Sequence, residues 1–256
     1  MTDLEAFDLS GTVAVVTGGT RGIGRAIAAG FADAGADVVP TSRTEESVEE
    51  AVADVRDRGA SSLVHPTDVT DEASIRDLFD RVDDELGGVD CVVNNAGVNP
   101  DAALGPPEDV DPVAFDLTVD VNLRGAFTCA RTAAESLAER GGSVINVASV
   151  GGVVGLPRQH PYVASKHGLV GLTKSVALDW APDVRINALA PGYVKTDLTE
   201  ELQANERLRE SIVDRTPLAR FADPEEIAGP AVFLASDAAS FVTGECLAVD
   251  GGWTAR

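Results

Sequence analysis

The sequence is poor in cysteine and in long apolar runs, and each shortage excludes a class of protein. Its three cysteines, Cys91, Cys129 and Cys246, lie far apart and share no CxxC spacing. We therefore expect buried, reduced thiols rather than a disulfide framework or a metal site. The three histidines also fall at no metal-ligand spacing, so no metal is predicted. No stretch approaches the roughly twenty consecutive apolar residues that a membrane-spanning helix needs.

Positive charge is scarce as well. The chain has 42 acidic residues against 20 basic ones, a net charge of −22, and only three lysines, Lys166, Lys174 and Lys195. Such a charge repels nucleic acids and anionic membranes, so neither is an expected partner. A small, acidic, lysine-poor protein is typical of a host living in high salt, where a Debye length of about 3 Å screens the self-repulsion. The alternative is an unusually acidic ordinary enzyme.

The N-terminal residues 1–5 are acidic and run directly into a strand-like segment. A secretory signal would instead have a basic start followed by an apolar stretch. We therefore expect a cytoplasmic protein.

Short apolar strands alternate with helices along the 256 residues. The predicted strands span 12–17, 37–39, 62–64, 90–94, 143–148, 184–189 and 245–249, and the predicted helices 25–34, 45–58, 74–86, 113–139 and 162–180. This alternation predicts an α/β fold with a parallel sheet covered on both faces. Right-handed crossovers favour a doubly wound, Rossmann-type sheet of seven strands in a single domain over residues 1–256. A closed eight-stranded barrel is the alternative, but a glycine-rich turn after the first strand fits it poorly.

That turn, TGGTRGIG at residues 17–24, lies between the first strand and the first helix. Glycine allows a tight turn and a close approach to a pyrophosphate, while the helix N-terminus offers free N–H groups and a partial positive charge. The spacing is Gly18-xxx-Gly22-x-Gly24 rather than GxGxxG. The turn therefore predicts a dinucleotide site, with an ordinary strand-to-helix corner as the alternative.

A second pattern, Tyr162-Val163-Ala164-Ser165-Lys166, places a phenol and an ammonium on one helix face. A free tyrosine has a pKa near 10, too high for a base at neutral pH, and a neighbouring ammonium favours the phenolate. We therefore expect Lys166 to lower the pKa of Tyr162. Ser149 ends the fifth strand, where its hydroxyl can hold a substrate oxygen. The alternative is a solvated helix surface.

These motifs together resemble the short-chain dehydrogenase/reductase family, in its single-domain branch of about 250 residues. The resemblance rests on the glycine turn, on Asn94-Asn95-Ala96-Gly97, and on Pro191-Gly192 with Thr196. It also rests on Asn122, Ser149, Tyr162 and Lys166, which match the family's catalytic set. The resemblance covers nearly the whole chain and implies an NAD(P)-dependent oxidoreductase that acts on an alcohol or carbonyl.

The resemblance also implies roles for single residues. Lys166 would hold the nicotinamide ribose, Asn122 would fix a water that connects Lys166 to solvent, and Asp68 would contact the adenine. The implied cofactor-binding residues are Gly18, Thr20, Arg21, Gly22, Ile23, Gly24, Ser42, Arg43, Asp68, Val69, Asn95, Ala96, Gly97, Tyr162, Lys166, Pro191, Gly192, Val194 and Thr196. The implied substrate residues are Ser149, Tyr162, Gly192 and Tyr193, beneath a mobile lid at about 193–222. A homotetramer is implied, built through helices 113–139 and 162–180 and the C-terminal strand.

The end of the second strand predicts which nicotinamide is bound. An acidic side chain there would bond the ribose 2′-hydroxyl and repel a 2′-phosphate. The chain instead reads Pro40-Thr41-Ser42-Arg43, with no carboxylate before Glu45. Arg43, assisted by Arg21, can pair with a phosphate, which favours NADP(H) over NAD(H). The alternative is that both arginines are solvated or pair with surface carboxylates.

The substrate is a small carbonyl or alcohol whose identity the motifs leave open. Similarity favours a 3-oxoacyl-thioester reductase, with a sugar or polyol dehydrogenase of the glucose 1-dehydrogenase type as the alternative. A regulator that binds NADP without turnover is a remote alternative, since it would be expected to lose Ser149, Tyr162 or Lys166. Trp253 is expected to pack at a subunit edge. Arg158 is expected to be solvated, with a contact to a substrate carboxylate or phosphate as the alternative.

We expect the protein to lose structure on dialysis from molar salt into dilute buffer. The Debye length then grows from about 3 Å to about 30 Å, and the excess carboxylates repel one another across the surface. Circular dichroism at a series of salt concentrations measures the loss. Full retention of structure in dilute buffer would instead identify an ordinary acidic protein.

Overall fold

The computed structural model describes residues 4–255, so most of the acidic N-terminus considered above, residues 1–3, and Arg256 lie outside the described residues. The strands are β1 (Val13–Thr17), β2 (Asp37–Thr41), β3 (Cys91–Asn94), β4 (Ser143–Val147), β5 (Arg185–Pro191) and β6 (Cys246–Val249). The helices are α1 (Gly22–Asp33), α2 (Glu45–Asp57), α3 (Glu72–Leu86), α4 (Pro112–Val119), α5 (Ala126–Thr132), α6 (Ala134–Arg140), α7 (His160–Trp180), α8 (Glu200–Ala204), α9 (Glu206–Arg215) and α10 (Glu225–Ala235).

The six strands form one parallel sheet in the order β2-β1-β3-β4-β5-β6. The chain runs outward from β1 to β2, returns to the other side of β1 with β3, and then continues outward. This order confirms the doubly wound, Rossmann-type α/β fold and excludes the closed barrel. The strand order reverses between β1 and β3, which leaves a crevice at the carboxyl ends of these two strands.

The predicted strand at 62–64 is wrong, so the sheet has six strands rather than seven. The segment runs beside β2, and Val38 N–H donates to Ser61 O over 3.1 Å. The next residue of β2 that faces the same way is Pro40, which has no N–H to continue the ladder. Side chains bond the segment instead: Ser62 Oγ donates to Val38 O and Thr41 Oγ1 to His65 O, each over 2.6 Å.

Helices cover both faces of the sheet. On one face, Ile27 and Phe31 of α1 pack with Ile227 and Leu234 of α10 against the sheet. On the other face, α3, α5, α6 and α7 surround a second cluster of buried apolar side chains. Helix α10 has no counterpart among the predicted helices, because Gly229 and Pro230 interrupt its apolar spacing.

The predicted helix 113–139 is divided in the structure. α4 continues into a π-helical turn, Asp120–Gly125, and then into α5 and α6. Gly125 lies against the loop before α3, where a Cβ on it would be 2.7 Å from Val69 O. The wider turn also carries Asn122, whose side chain is buried. Single π-helical turns of this kind frequently occur at functional sites.

The cysteine prediction is confirmed for Cys91 and Cys129, which are buried free thiols. Burial raises the pKa of Cys91 to about 11 and that of Cys129 to about 12, so both stay protonated at neutral pH. Within residues 4–255 no helix combines the length and apolar character needed to cross a membrane.

Candidate active site

All the predicted site residues lie along the carboxyl edge of the sheet, because parallel strands end at the same edge. The glycine turn, which joins β1 to α1, contains Gly18, Thr20, Arg21, Gly22, Ile23 and Gly24. The loops after β2, before α3 and after β3 contain, in that order, Ser42 and Arg43, Asp68 and Val69, and Asn95, Ala96 and Gly97. The remaining predicted residues are Asn122 in the π-helical turn, Ser149 after β4, Tyr162 and Lys166 on α7, and Pro191, Gly192, Tyr193, Val194 and Thr196 at and after the end of β5.

The glycine turn packs directly on the segment after β3. Gly18 has a φ of +62°, and a Cβ on it would lie 2.9 Å from Ala96 Cα. Asn95 Nδ2 donates to Thr17 O over 3.0 Å and to Gly18 O over 2.9 Å. A Cβ on Gly24 would collide with both Gly18 O and Asn95 Nδ2. Glycine is therefore required at both positions for the turn to close.

Thr17 is a site residue that the sequence patterns did not indicate. Its Oγ1 accepts hydrogen bonds from the N–H groups of Asn95 and Ala96, each over 3.1 Å. It thereby fixes the two loops that meet at the strand-order reversal. A threonine at the end of an apolar strand, next to a glycine turn, is the sequence signal that corresponds to this role.

The start of α1 suits an anion. Its N-cap residue Arg21 makes no side-chain capping bond, and the first turn contains no acidic residue. The N–H groups of that turn therefore point outward without a side-chain acceptor in the described chain. Together with the left-handed Gly22 (φ +50°), they fit the pyrophosphate of a dinucleotide.

Two arginines lie near the site for the adenosine end of a dinucleotide. Arg43 is exposed and lies close enough to Asp68 for its charge to affect that carboxylate. Partial burial opposes ionisation of Asp68, but hydrogen bonds from Thr70 and the charge of Arg43 lower its pKa overall. Arg21 forms an exposed ion pair with Asp197, 3.4 Å long, so one of the two arginines does have a carboxylate partner.

The structure brings Ser149 and Tyr162 together. Both side chains face the space above β4, where a Cβ on Gly151 would lie 3.3 Å from Tyr162 Cε1 and 3.5 Å from Ser149 Oγ. Burial raises the pKa of Tyr162, a hydrogen bond with Ser149 acts in the opposite direction, and Tyr193 raises it further. The Ser149 hydroxyl also accepts from Gly151 N–H over 3.0 Å.

The predicted effect of Lys166 on Tyr162 is wrong for the protein without cofactor. Lys166 Nζ lies 5.7 Å from the centre of the Tyr162 ring and donates to Val147 O over 2.7 Å. Because Lys166 is buried, its pKa falls to about 8. Burial thus dominates both groups, and the pKa of Tyr162 is raised rather than lowered.

Asn122 joins the loop after β3 to α7. Its Oδ1 accepts from Val98 N–H over 2.8 Å, and its Nδ2 donates to Val98 O over 3.0 Å and to Ser165 Oγ over 3.1 Å. Ser165 in turn donates to Tyr162 O over 2.8 Å. The amide group is therefore occupied by protein partners, and Ser165 is a second positioning residue that the sequence patterns did not indicate.

Three aromatic side chains, Tyr193, Phe221 and Trp253, pack together beside the Ser149 loop and form what we call the aromatic wall. Tyr193 packs edge-on against Trp253, with ring centres 4.8 Å apart, and against Phe221, with ring centres 5.9 Å apart. Trp253 and Phe221 are buried and share a cluster with Val150, the residue after Ser149. Trp253 thus packs inside its own subunit.

Among residues 4–255 no group of three His, Cys, Asp or Glu side chains is placed to bind a metal ion.

Comparisons with known proteins agree on one family. A family model described as enoyl-(acyl carrier protein) reductase matches residues 18–254. The chain is 39% identical over 248 residues to a 3-oxoacyl-(acyl-carrier-protein) reductase FabG of Thermotoga maritima, covering 95% of this chain and 98% of that protein.

Solved structures show the same relationship. A short-chain type dehydrogenase/reductase from Mycobacterium marinum superposes with a TM-score of 0.92 and 35% identity, over 99% of both chains. A gluconate 5-dehydrogenase from Burkholderia cenocepacia, in complex with NADP and tartrate, superposes with a TM-score of 0.94 and 36% identity, over 99% of both chains. With the glycine turn and the Ser149–Tyr162–Lys166 set in place, the chain belongs to the short-chain dehydrogenase/reductase family, whose members are NAD(P)-dependent oxidoreductases.

Proposed function

We propose that the protein interconverts a secondary alcohol and a carbonyl with NADP(H), and that Tyr162 handles the proton. The observation that carries this proposal is the proximity of the Ser149 and Tyr162 side chains, which lie 3.5 and 3.3 Å from a Cβ placed on Gly151, with the buried Lys166 Nζ 5.7 Å from the centre of the Tyr162 ring. In reduction the phenol donates its proton to the carbonyl oxygen, and in oxidation the phenolate accepts the alcohol proton. Ser149 holds the same substrate oxygen. The nicotinamide supplies or accepts the hydride.

Lys166 and Asn122 support this chemistry in different ways. Lys166 would hold the nicotinamide ribose through its ammonium N–H groups, and its charge would favour the phenolate of Tyr162. Asn122 holds the Val98 peptide and Ser165, and so fixes the relative positions of the β3 loop and α7. We propose it as a positioning residue that also maintains the proton route from Lys166 to solvent.

For the cofactor we propose NADP(H), with NAD(H) as the alternative. The glycine turn with Asn95, Ala96 and Gly97 would hold the pyrophosphate and nicotinamide half. Ser42, Arg43 and Asp68 would hold the adenosine half. Arg43 lies beside Asp68 without an ion-pair partner closer than 4.0 Å in the described chain. An arginine in that state suits a 2′-phosphate. The NADP bound to the Burkholderia relative supports this assignment.

The first substrate candidate is a 3-oxoacyl thioester. It is supported by the Thermotoga relative, which is named as a 3-oxoacyl reductase. Residues 193–222, which include α8 and α9, would close over it as a lid. The apolar side chains Val150, Leu202 and Phe221 would face its acyl chain.

The second candidate, a sugar or polyol dehydrogenase, is favoured by polar groups near the site. Asn99 Nδ2 donates to Gln159 Oε1 over 3.1 Å, while its buried Oδ1 has no hydrogen-bond partner among residues 4–255. A buried amide oxygen without a donor suits a substrate hydroxyl. The Burkholderia relative, a gluconate 5-dehydrogenase, supports this candidate.

We also propose a homotetramer. Large apolar side chains are exposed on the elements expected to form its interfaces: Val113, Phe115 and Leu117 on α4, Phe127 on α5, Leu178 on α7, and Phe241 before β6. Several large exposed apolar side chains on a strongly acidic protein are typical of an interface.

Tyr162→Phe should lower kcat by about 100- to 10,000-fold while cofactor affinity stays nearly intact, because only the proton-transferring oxygen is lost. Absorbance of the reduced nicotinamide measures turnover, and quenching of tryptophan fluorescence measures binding. The matched variant is Tyr193→Phe, which removes the only other phenol of the chain and should change KM more than kcat. Activity like that of the unaltered protein in Tyr162→Phe contradicts the assignment.

Arg43→Ala should weaken NADP binding by about tenfold or more and leave NAD binding nearly unchanged, since only the 2′-phosphate is lost as a partner. Titration calorimetry with both cofactors tests this prediction. Arg76→Ala, an exposed arginine on α3, serves as the control for loss of charge. Equal weakening of both cofactors would assign Arg43 a structural role.

Lys166→Met should remove a pH dependence of stability in the cofactor-free protein. The pKa of Lys166 is about 8 in the folded protein, against an ordinary value of 10.5. Between these two pH values the unfolded chain therefore keeps a proton on Lys166 that the folded protein has released. The contribution of Lys166 to stability should therefore rise as the pH increases from 8 to 10. The buried thiols of Cys91 and Cys129 oppose this rise from about pH 9, the ordinary pKa of a thiol, and Tyr162 opposes it above pH 10, equally in the unaltered protein and in Lys166→Met. Unfolding by guanidinium chloride at each pH, with Lys174→Met as control, measures the difference between the two proteins; the same pH profile in Lys166→Met contradicts the prediction.

Phe241→Asp should shift the assembly to smaller species, because a charge replaces a fully exposed aromatic ring at the proposed interface beside β6. Light scattering after size-exclusion chromatography in high salt measures the mass. Leu208→Asp, on the exposed part of α9, should leave it unchanged. A monomeric unaltered protein would refute the tetramer.

A further inference from the structure

Arg215, the last residue of α9, occupies an unusual position for an arginine in this protein. Its guanidinium carbon lies 4.2 Å from the centre of the Trp253 ring. A guanidinium stacked on an aromatic face is held in place by the ring, while its N–H edge stays open to a planar anion. Trp253 is itself fixed, because it is buried and packs edge-on against Tyr193.

Arg215 also has no carboxylate partner closer than 4.0 Å in the described chain, although most other ion pairs there use arginine. Acidic residues outnumber basic ones by 42 to 20, so partners are abundant on this surface. An exposed guanidinium that is oriented but unpaired therefore has its binding edge available.

The aromatic wall connects Arg215 with the reacting phenol. Burial raises the pKa of Tyr193, and the charge of Arg215 acts against this rise. Tyr193 in turn contributes to the raised pKa of Tyr162. Tyr193 and Trp253 also pack in one cluster with Val150, the residue after Ser149, so the wall extends from the Ser149 loop to the ring on which Arg215 stacks.

The wall also contains a donor without an acceptor. Trp253 Nε1 is buried and has no hydrogen-bond partner among residues 4–255. Buried indole N–H groups normally find one. Among the described residues this indole N–H is therefore a buried donor without a partner.

We propose that Arg215 binds a carboxylate of the substrate, which makes the substrate a hydroxy acid or oxo acid whose acid group lies remote from the reacting carbon. The proposal rests on the proposed function, since it takes the Ser149–Tyr162 end of the crevice as the place of reaction. The guanidinium edge would pair with both carboxylate oxygens, and the face of Tyr193 or Trp253 would cover the carbon chain. Within this acidic protein, Arg215 would supply the local positive charge that an anionic substrate needs.

The test uses two alcohols that differ only in the proposed contact. D-Gluconate carries a carboxylate where D-glucitol carries a hydroxymethyl group. Oxidation of each by NADP is measured with the full-length protein in high salt, for the unaltered chain and for Arg215→Gln and Arg215→Lys. Arg209→Gln, also exposed on α9 and also without an ion pair, is the matched control. Acetoacetyl-CoA reduction by NADPH is measured alongside.

We expect the unaltered protein to prefer gluconate over glucitol in kcat/KM. Arg215→Gln should lower kcat/KM for gluconate by about 30-fold, mainly through KM, and leave glucitol unchanged. Arg215→Lys should restore part of the loss, because it keeps the charge without the fork. Arg209→Gln should behave like the unaltered protein.

An unchanged preference for gluconate in Arg215→Gln overturns the proposal. Loss of the preference for gluconate in Arg158→Gln, and not in Arg215→Gln, also overturns the proposal, because the substrate carboxylate would then bind the loop before α7. Activity on acetoacetyl-CoA alone, equal in all variants, also overturns it while the proposed function stands. Absence of turnover on every substrate, with NADP bound, overturns the proposed function itself.

Discussion

Burial of an ammonium group beneath a phenol is the constraint on which the rest of this site depends. Lys166 is almost fully buried, and its only hydrogen-bond acceptor in the described chain is Val147 O. Desolvation lowers the pKa of Lys166 to about 8 and raises that of Tyr162. At neutral pH Lys166 therefore keeps most of its charge, while Tyr162 stays a neutral phenol, the form that donates a proton in reduction. The phenolate that oxidation requires must be favoured by what binds above it.

The loops at the carboxyl edge of the sheet are arranged to receive such a ligand. Asn95 and Thr17 fix the glycine turn against the β3 loop, and Asn122 fixes that loop against α7. These bonds run between elements that lie far apart in sequence. The positions of the proposed cofactor-binding and proton-transferring groups are therefore linked through these bonds.

The parts of the fold predicted from sequence are those with a strong local signal. Apolar β-branched runs marked six strands, and TGGTRGIG marked the first crossover. The predicted strand at 62–64 was wrong because Pro40 on the neighbouring strand removes a ladder donor, which a single segment does not reveal. Helix α10 was not predicted because Gly229 and Pro230 interrupt its helical pattern of apolar residues. Packing against α1 stabilises the helix despite these two residues.

The same distinction between local sequence signals and effects of the whole fold holds at the site. The spacing of Tyr162 and Lys166 indicated one helix face, but the predicted change in the pKa of Tyr162 had the wrong sign. Burial is a property of the whole fold, and it outweighs the proximity of a charge one turn away. The contact of Arg215 with Trp253 joins α9 to the C-terminal segment. No sequence motif predicts this contact, because the two residues meet only through the tertiary fold.

The central claim is that cofactor binding completes the site by favouring the Tyr162 phenolate. In a Tyr193→Phe background Tyr162 is the only tyrosine, so ultraviolet absorbance of the phenolate measures its pKa directly. We expect the pKa of Tyr162 to lie above 10 without cofactor and to decrease clearly when NADP with its positively charged nicotinamide is bound. An identical pKa in the presence and absence of NADP would contradict it.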